Sequence, residues 1–138
     1  MRISTRLRYG LRLLLELARH EGGKPVKLKD VSANQQIPLP YLRQLIIPLE
    51  NEGLVKSVRG SRGGYLLAQP PEKIGLLKVA RVLEGPLTLV NCVGEPSACN
   101  RSPSCPTRKL WEEISEETRK VLSQKTLKSL LDEGQTQA

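Results

Sequence analysis

The stretch from Leu54 to Ala68, Leu-Val-Lys-Ser-Val-Arg-Gly-Ser-Arg-Gly-Gly-Tyr-Leu-Leu-Ala, decides the fold. Two short runs rich in strand-forming residues, Leu54–Val58 and Tyr65–Ala68, flank a hexapeptide that contains three glycines and two arginines. Two such runs joined by a glycine-rich connection predict a β-hairpin with a basic tip.

Three helices are predicted upstream of this hairpin. Apolar residues recur at helical spacing from Ile3 to about His20, and a second, brief helix is expected over Leu28–Gln35. A third helix begins at Pro40, since proline is favoured in the first helical turn, and Pro48 is expected to kink or end it. Three helices and then a hairpin, with a tight turn before the third helix, is the order of a winged helix-turn-helix domain.

The chain after the hairpin is predicted to contain helices on either side of a cysteine-bearing loop. A helix over about Leu76–Leu83 is stopped by Gly85-Pro86, and residues 92–105 contain few apolar residues but several Gly, Pro, Ser and Asn. A long helix is expected over Pro106–Ser123 and a short one over Thr126–Asp132. The predicted fold class is therefore mainly α with a small β-hairpin.

Positive charge is concentrated in the first half of the chain. Of the net +8 over 138 residues, residues 1–70 contribute +7 (12 Lys/Arg, 5 Asp/Glu) and residues 71–138 contribute +1 (10 and 9). This asymmetry is typical of a polyanion-binding module joined to a nearly neutral one. No stretch approaches the roughly 20 apolar residues that span a membrane, and charges interrupt the N-terminal leucines, unlike a secretory signal peptide. The expected location is the cytoplasm, with no membrane partner.

The predicted DNA contacts lie on the third helix and on the hairpin: Tyr41, Arg43, Gln44, Lys56, Arg59 and Arg62. A helix fits the major groove, where base edges display a distinguishing pattern of donors and acceptors. The arginine of the helix can donate two hydrogen bonds to guanine, and the glutamine can pair with adenine. An arginine at the hairpin tip can enter a neighbouring minor groove, whereas the hairpin lysine is better placed for phosphates. The expected partner is double-stranded operator DNA.

The three cysteines fall within one short segment. Cys92, Cys99 and Cys105 have the spacing C-x6-C-x5-C, and an odd number without a signal peptide argues against a disulfide framework. Thiolates suit iron–sulfur clusters or zinc. Cys105 directly precedes a predicted helix, with Arg101 and Arg108 nearby in sequence, and such surroundings favour the thiolate. Spacing alone leaves a metal site and a redox-inert loop both open.

Several motifs together resemble those of one known family. They are Met1-Arg2-Ile3-Ser4-Thr5 with Arg8-Tyr9-Gly10, Tyr41-Leu42-x-Gln44-Leu45, Leu54-Val55-Lys56-Ser57-Val58-Arg59-Gly60 with Gly63-Gly64-Tyr65-Leu66-Leu67, Leu83-Glu84-Gly85-Pro86, and three cysteines before a Trp. In these motifs the chain resembles the IscR/NsrR family of iron–sulfur winged-helix transcription regulators, over nearly its whole length.

The resemblance implies a homodimer that binds near-palindromic operators and is held together by the long helix after the cysteine loop. An apolar stripe on that helix supports this, since it is long for one small domain: Trp111, Ile114, Val121 and Leu122. By position, the family's DNA-contacting region corresponds to Tyr41, Arg43, Gln44, Arg59 and Gly60. The expected organisation is a winged helix-turn-helix domain at 1–86, a cluster loop at 87–105, and a dimerisation helix with its tail at 106–138.

The resemblance also implies an iron–sulfur cluster on Cys92, Cys99 and Cys105, with 2Fe–2S favoured over 4Fe–4S. In the family a fourth ligand is a histidine shortly after the third cysteine, or an aspartate near the N-terminus. Those positions are Arg108 and Arg8 in this chain, and arginine keeps its proton and cannot ligate. The remaining ways to complete the site are a partner-chain residue, a small exogenous ligand, or an acidic side chain of the region: Glu95 or Glu112. The single histidine, His20, is expected at the surface.

The function expected from the sequence is a DNA-binding transcription regulator whose operator binding is modulated by an iron–sulfur cluster. Cluster assembly would order residues 92–105 and shift the setting of the two DNA-binding domains. The alternative is a cluster-free or zinc-binding winged-helix regulator that responds to a metabolite or a protein partner. An enzyme is not expected, because the cysteines include no Cys-x-x-Cys pair and no acid–base constellation surrounds them.

Overall fold

The computed structural model describes residues 2–136, and of Thr136 only the backbone. Its helices and strands, in chain order, are α1 (Thr5–Arg19), α2 (Leu28–Gln35), α3 (Leu39–Asn51), β1 (Val55–Val58), β2 (Gly64–Leu67), α4 (Leu76–Glu84), α5 (Asn91–Gly94), α6 (Pro106–Ser123) and α7 (Leu127–Thr136). Short 3-10 turns lie at Pro71–Lys73, Pro96–Ala98 and Ser102–Ser104. The prediction of a mainly helical fold with one antiparallel hairpin is confirmed. No helix within 2–136 is long and apolar enough to cross a membrane.

One apolar core joins the N-terminal helices to the last helix. α1 contributes Leu13, Leu14 and Leu17, each at most 1% exposed, and α4 contributes the fully buried Val79. Leu127 of α7 is fully buried in the same cluster. Full burial of one such side chain is worth about 1.5–3 kcal/mol. The core therefore fixes the positions of the helices that frame the site.

The last helix returns to the winged half of the molecule. The backbone N–H of Leu127 donates to the carbonyl of Ile74 (3.0 Å), and α7 packs against α1. The helix continues past Asp132, where the sequence pattern placed its end, and reaches Thr136, the last described residue. The C-terminal end of the described chain thus belongs to the same core as the winged half.

The hairpin is fastened to the segment that precedes α2. β1 and β2 pair with Val55 opposite Leu67, and Tyr65 also exchanges two backbone hydrogen bonds with Val26 (2.8 and 2.9 Å). Gly64 has φ +154°, and a Cβ there would lie 2.5 Å from the Val26 carbonyl oxygen. Only glycine permits this approach, which sets the wing against the helix-turn-helix.

The third helix differs from the prediction at both ends. It begins at Leu39, which leaves Pro40 in its first turn, and it continues through Pro48 to Asn51. Pro48 removes only its own N–H bond, and its carbonyl still accepts from the backbone of Glu52 (3.1 Å). The apolar face of the last turns stays in the core, so the helix continues past Pro48. Of the two effects expected of Pro48, a kink or the end of the helix, the second is wrong.

The cysteine region is more regular than the predicted loop. Residues 91–104 form α5 and two 3-10 turns, held by short-range bonds such as the Glu95 N–H to the Asn91 carbonyl (2.9 Å). Pro96 and Pro103 lie in the first positions of the two turns, where a fixed φ favours helical geometry. The interpretation of this region as an irregular loop is therefore corrected to a string of single helical turns.

Candidate DNA-binding surface and cysteine segment

The tight turn between α2 and α3 is held from both sides. Gln36 caps α2 in the left-handed conformation (φ +55°). The guanidinium of Arg12 on α1 donates to the side-chain oxygen of Gln35 (3.2 Å) and to its backbone carbonyl. The Ser32 hydroxyl donates to the carbonyl of Ile37 (2.6 Å), whose side chain is buried. These bonds satisfy the end of α2 and fix the angle at which α3 leaves it.

A buried carboxylate joins α1 to α2. Glu16, 5% exposed, accepts hydrogen bonds from the side-chain amides of Asn34 and Gln35, both at 2.8 Å, and lies 3.5 Å from the Arg19 guanidinium. Burial raises the pKa of this carboxyl, but the two amide bonds and the charges of His20 and Arg19 together lower it below the ordinary value. Sequence analysis missed this residue, and its signal is a glutamate within the leucine stripe of α1.

The two faces of α3 differ in character. Four side chains point into the core: Leu42, Leu45, Ile46 and Leu49. The opposite face carries Arg43, Gln44 and Ile47, all exposed. Because residues three and four apart share a helix face, these three side chains form one patch. The predicted contacts Arg43 and Gln44 therefore lie together on the exposed side of the helix.

Tyr41 occupies a different position from its two neighbours. It is half-buried, and its ring packs edge-to-face on Tyr9 of α1, with ring centroids 5.8 Å apart. Its hydroxyl lies 3.1 Å from the Thr5 hydroxyl. Tyr41 thus braces the start of α3 against the first turn of α1, beside the patch rather than within it.

An open groove separates α3 from the wing. It is lined from three sides, by the start of α2, by α3 and by the wing: Lys27, Leu28, Lys29, Leu39, Arg43, Ile46, Ile47, Glu50 and residues 63–65. Lys27, Lys29 and Arg43 are exposed cations along it. Lys27 and Lys29, at the start of α2, were not predicted from the sequence, because the hydrogen bonds between Val26 and Tyr65 that hold this segment against the wing join distant residues.

The wing residues named from the sequence are all exposed. Lys56 lies on β1, and Arg59, Gly60 and Arg62 form the connection between the strands. Gly60 has φ +106°, which favours glycine at this turn. The two arginines carry no salt bridge within the described chain, so their charge is available to an anionic partner.

The cysteine segment brings its thiols into unlike surroundings. Cys92 lies half-buried in α5, Cys99 is exposed, and Cys105 caps the start of α6; all three are free thiols. The Sγ of Cys105 lies 3.1 Å from the Thr107 hydroxyl. This hydrogen bond, the backbone amides of the first turn of α6 and the charge of Arg101 lower the pKa of Cys105. Cys105 is thereby biased toward the thiolate.

The described residues do not form a metal site. No group of three or more His, Cys, Asp or Glu side chains within 2–136 is arranged to hold a metal ion. Arg108 donates to the Cys92 carbonyl (3.1 Å) and pairs with Glu112 (2.8 Å), so it fastens α5 to α6. Glu95 bonds the Ser97 hydroxyl (3.3 Å), and His20 lies exposed at the end of α1. In this arrangement the three cysteine thiols are therefore not gathered around a common metal position.

The predicted apolar stripe of α6 is divided between the core and the surface. Leu122 packs on the core, whereas Trp111 and Ile114 are half-buried. Val121 is 52% exposed, and Leu110 on the same helix is 48% exposed. The described chain leaves this side of α6 uncovered.

Comparison with known proteins matches the chain over nearly its whole length. The family model named Rrf2, described as an iron-dependent transcriptional regulator, matches residues 3–133. The transcriptional regulator CymR of Bacillus subtilis is 39% identical over 130 residues, which cover 94% of this chain and 89% of CymR. IscR of Yersinia enterocolitica is 36% identical over 132 residues, 96% of this chain and 80% of IscR. These relatives are transcriptional regulators, in agreement with the expectation that the chain is not an enzyme.

Solved structures of proteins with the same names, CymR and IscR, are similar to this chain in fold. The structure of B. subtilis CymR, described as the global cysteine regulator, has a TM-score of 0.79 at 38% identity and covers 96% of this chain and 97% of CymR. A structure described as T. potens IscR has a TM-score of 0.80 at 36% identity, and the match covers 97% of this chain and 88% of that one. A structure of Staphylococcus aureus CymR in its oxidized form has a TM-score of 0.76 at 39% identity, and the match covers 95% of this chain and 96% of that one.

Proposed function

The chain belongs to the Rrf2 family of helix-turn-helix transcriptional regulators, and on that premise we propose that it binds operator DNA as a homodimer through α3 and the wing. The observation that carries the proposal is the exposed patch of α3, which borders a groove that is also lined by two cations at the start of α2, Lys27 and Lys29. The wing adds the exposed Arg59 and Arg62 outside this groove. A cationic rim round a polar helix face suits the DNA major groove and its flanking phosphates. A cytoplasmic location follows from that role.

Each part of the surface has its own task in this proposal. Arg43 and Gln44 contact base edges in the major groove, and Arg59 or Arg62 enters the neighbouring minor groove beside Gly60. The lysines contact phosphates, which position the protein without selecting sequence: Lys27, Lys29 and Lys56. Tyr41 holds the start of α3 and borders the contact. The uncovered side of α6 pairs with a second copy, so that two α3 helices reach successive major grooves.

The test is binding of the full chain to duplexes selected from a random pool. We expect the affinity to fall steeply with salt, as cation–phosphate contacts require. Gln44→Ala should cost about 1–3 kcal/mol and relax preference at one base position. The matched control is Gln135→Ala, at an exposed position of α7 outside both proposed surfaces, which should change neither. Absence of duplex binding at low salt, or equal weakening by both variants, would reject the DNA-binding surface.

A second proposal concerns the cysteine segment, residues 92–105. We propose that it receives the signal that modulates operator binding, with a 2Fe–2S cluster on Cys92, Cys99 and Cys105 as the candidate ligand. Support comes from the iron-dependent description of the family and from the thiolate bias of Cys105. Because the thiols are not gathered in the described arrangement, cluster binding requires this segment to change conformation. Thiol oxidation is the alternative, favoured by the similarity to an oxidized form of CymR.

Anaerobic purification separates these alternatives. We expect visible charge-transfer absorption with matched iron and sulfide, lost in Cys92→Ala. A colourless protein that contains zinc would indicate a zinc-stabilised regulator, and a protein without metal would leave thiol chemistry. If loaded and metal-free protein bind the selected duplex equally at fixed salt, the segment does not modulate operator binding.

A further inference from the structure

Ile47 is an apolar side chain on the face of α3 where polar residues are expected. It is 58% exposed, and its neighbours on that face are Arg43, four residues earlier, and Gln44, three residues earlier. A single exposed isoleucine needs no explanation at an arbitrary surface position. Here it stands on the helix face that the proposed function places in the major groove.

The surroundings of Ile47 restrict what can cover it. It lines the groove between α3 and the wing together with Lys27, Lys29 and Arg43. An apolar protein surface laid on this groove would bury those cations without partners, which is costly. The exposed apolar residues of α6 differ, since Glu113 and Glu117 flank them. The partner of Ile47 must therefore carry negative charge and also offer an apolar group.

The DNA major groove offers one apolar group on its base edges, the 5-methyl group of thymine. Along the helix axis Ile47 lies about 4.5 Å from Gln44 and about 6 Å from Arg43, by a rise of about 1.5 Å per residue. That distance corresponds to about one or two base-pair steps of roughly 3.4 Å. A thymine at this distance from the base pairs contacted by Arg43 and Gln44 would meet the isoleucine.

Glu50 marks the far limit of the contact. It follows Ile47 by one turn on α3, and its carboxylate accepts a hydrogen bond from the Ser57 hydroxyl of β1 (3.0 Å). A carboxylate is repelled by phosphates, and this one is engaged with the wing. Ile47 is thus the last residue of the patch that is suited to face a base edge.

We infer that Ile47 is a specificity-determining residue that selects a thymine in the operator by contact with its 5-methyl group. The inference rests on the proposed DNA-binding function and adds to it a base preference at a position read by neither Arg43 nor Gln44. It requires no new bond and no conformational change.

The test replaces the thymines of a selected duplex, one at a time, by deoxyuridine, which lacks only the methyl group. For the wild-type chain, replacing the contacted thymine in one half-site should weaken binding about fourfold, the value of one buried methyl or methylene group. Ile47→Ala should bind the thymine duplex at least that much more weakly, and should be indifferent to the same replacement. Ile3→Ala is the matched control, because Ile3 is 59% exposed and lies outside the groove.

The outcomes separate the inference from its premise. If wild type and Ile47→Ala respond alike to every deoxyuridine, while Gln44→Ala still alters base preference, the contact is refuted and DNA binding stands. If no duplex binds at low salt, the proposed function falls and the inference falls with it. Thermal unfolding of both variants checks that the folded fraction is unchanged.

Discussion

The winged half and the cysteine segment are held in place by different interactions. α3 places four apolar side chains in the core, which anchors the exposed patch on its opposite face. Between residues 91 and 105 no apolar side chain is buried; Ser102 is buried, and its hydroxyl has no hydrogen-bond partner in the described chain. The proposed DNA-binding surface is therefore preorganised by packing. The cysteine segment is instead shaped by short-range hydrogen bonds and by the bond from Arg108 to the Cys92 carbonyl.

The largest effect should come from removing a core anchor of α3. Leu42 is fully buried, so Leu42→Ala should lower the free energy of unfolding by about 2–5 kcal/mol. The half-buried Val93 of α5 is the matched residue in the cysteine segment, and Val93→Ala should cost about 1 kcal/mol or less. Urea unfolding of the full chain, followed by circular dichroism, measures both. Similar losses would break the contrast between a packed and an unpacked region.

The buried carboxylate extends the contrast to polar groups. Glu16→Gln removes the charge and turns an N–H toward the amides of Asn34 or Gln35, so it should cost about 1–3 kcal/mol at pH 7. Because the pKa of Glu16 is lower in the folded state, the carboxylate contributes its full stabilisation of the fold at pH values above its ordinary pKa of 4.5. This stabilisation is lost as the pH falls through the lower folded-state pKa, and the gap between the two proteins should close there. Glu21→Gln, at an exposed position, serves as the control in the same pH series; a gap that is independent of pH would contradict the assignment.

A change on the wing should affect DNA binding and leave stability intact. Arg59→Ala removes a charged donor, so it should weaken binding by about 1.5 kcal/mol, roughly tenfold. The loss should be greatest where the flanking minor groove is A·T-rich, because a narrow groove attracts cations. Fluorescence anisotropy on duplexes with A·T-rich and G·C-rich flanks measures it. The control is Cys99→Ala in metal-free, reduced protein, which should leave the affinity unchanged. If Arg59→Ala weakens binding equally on A·T-rich and G·C-rich flanks, the assignment of the wing to the minor groove is refuted.

The smallest effect concerns the thiol at the start of α6. The Thr107 hydroxyl is the first cause of the lowered pKa of Cys105, so Thr107→Val should raise that pKa toward the ordinary value. The backbone amides remain, so part of the shift should persist. Alkylation rates against pH, in a chain with Cys92 and Cys99 replaced by serine, report the thiolate directly. Thr107→Ser is the control, since it keeps the hydroxyl. If the alkylation rates of Thr107→Val and Thr107→Ser depend on pH in the same way, the Thr107 hydrogen bond is not the cause of the lowered pKa.

Local pattern accounts for the parts of the fold that were predicted well. α2 and α6 match their predicted bounds at Leu28–Gln35 and Pro106–Ser123. The spacing of apolar residues along the sequence predicts which positions of a helix face inward and which face solvent. The spacing of apolar residues could not predict that α3 continues through Pro48. A lost N–H bond is a local cost, and whether the helix continues depends on packing that distant residues supply.

The sequence by itself determined the order of helices and hairpin, the basic half of the chain, and the exposed pair Arg43 and Gln44. These follow from periodicity and charge, which act between near neighbours. Only the tertiary structure decided which groups meet across the chain. It joins Glu16 to α2, brings the α2 lysines beside the wing, and leaves Ile47 among cations. It also leaves the three thiols without a common metal position, which their local spacing could not reveal, because contacts between distant residues carry no signature in local spacing.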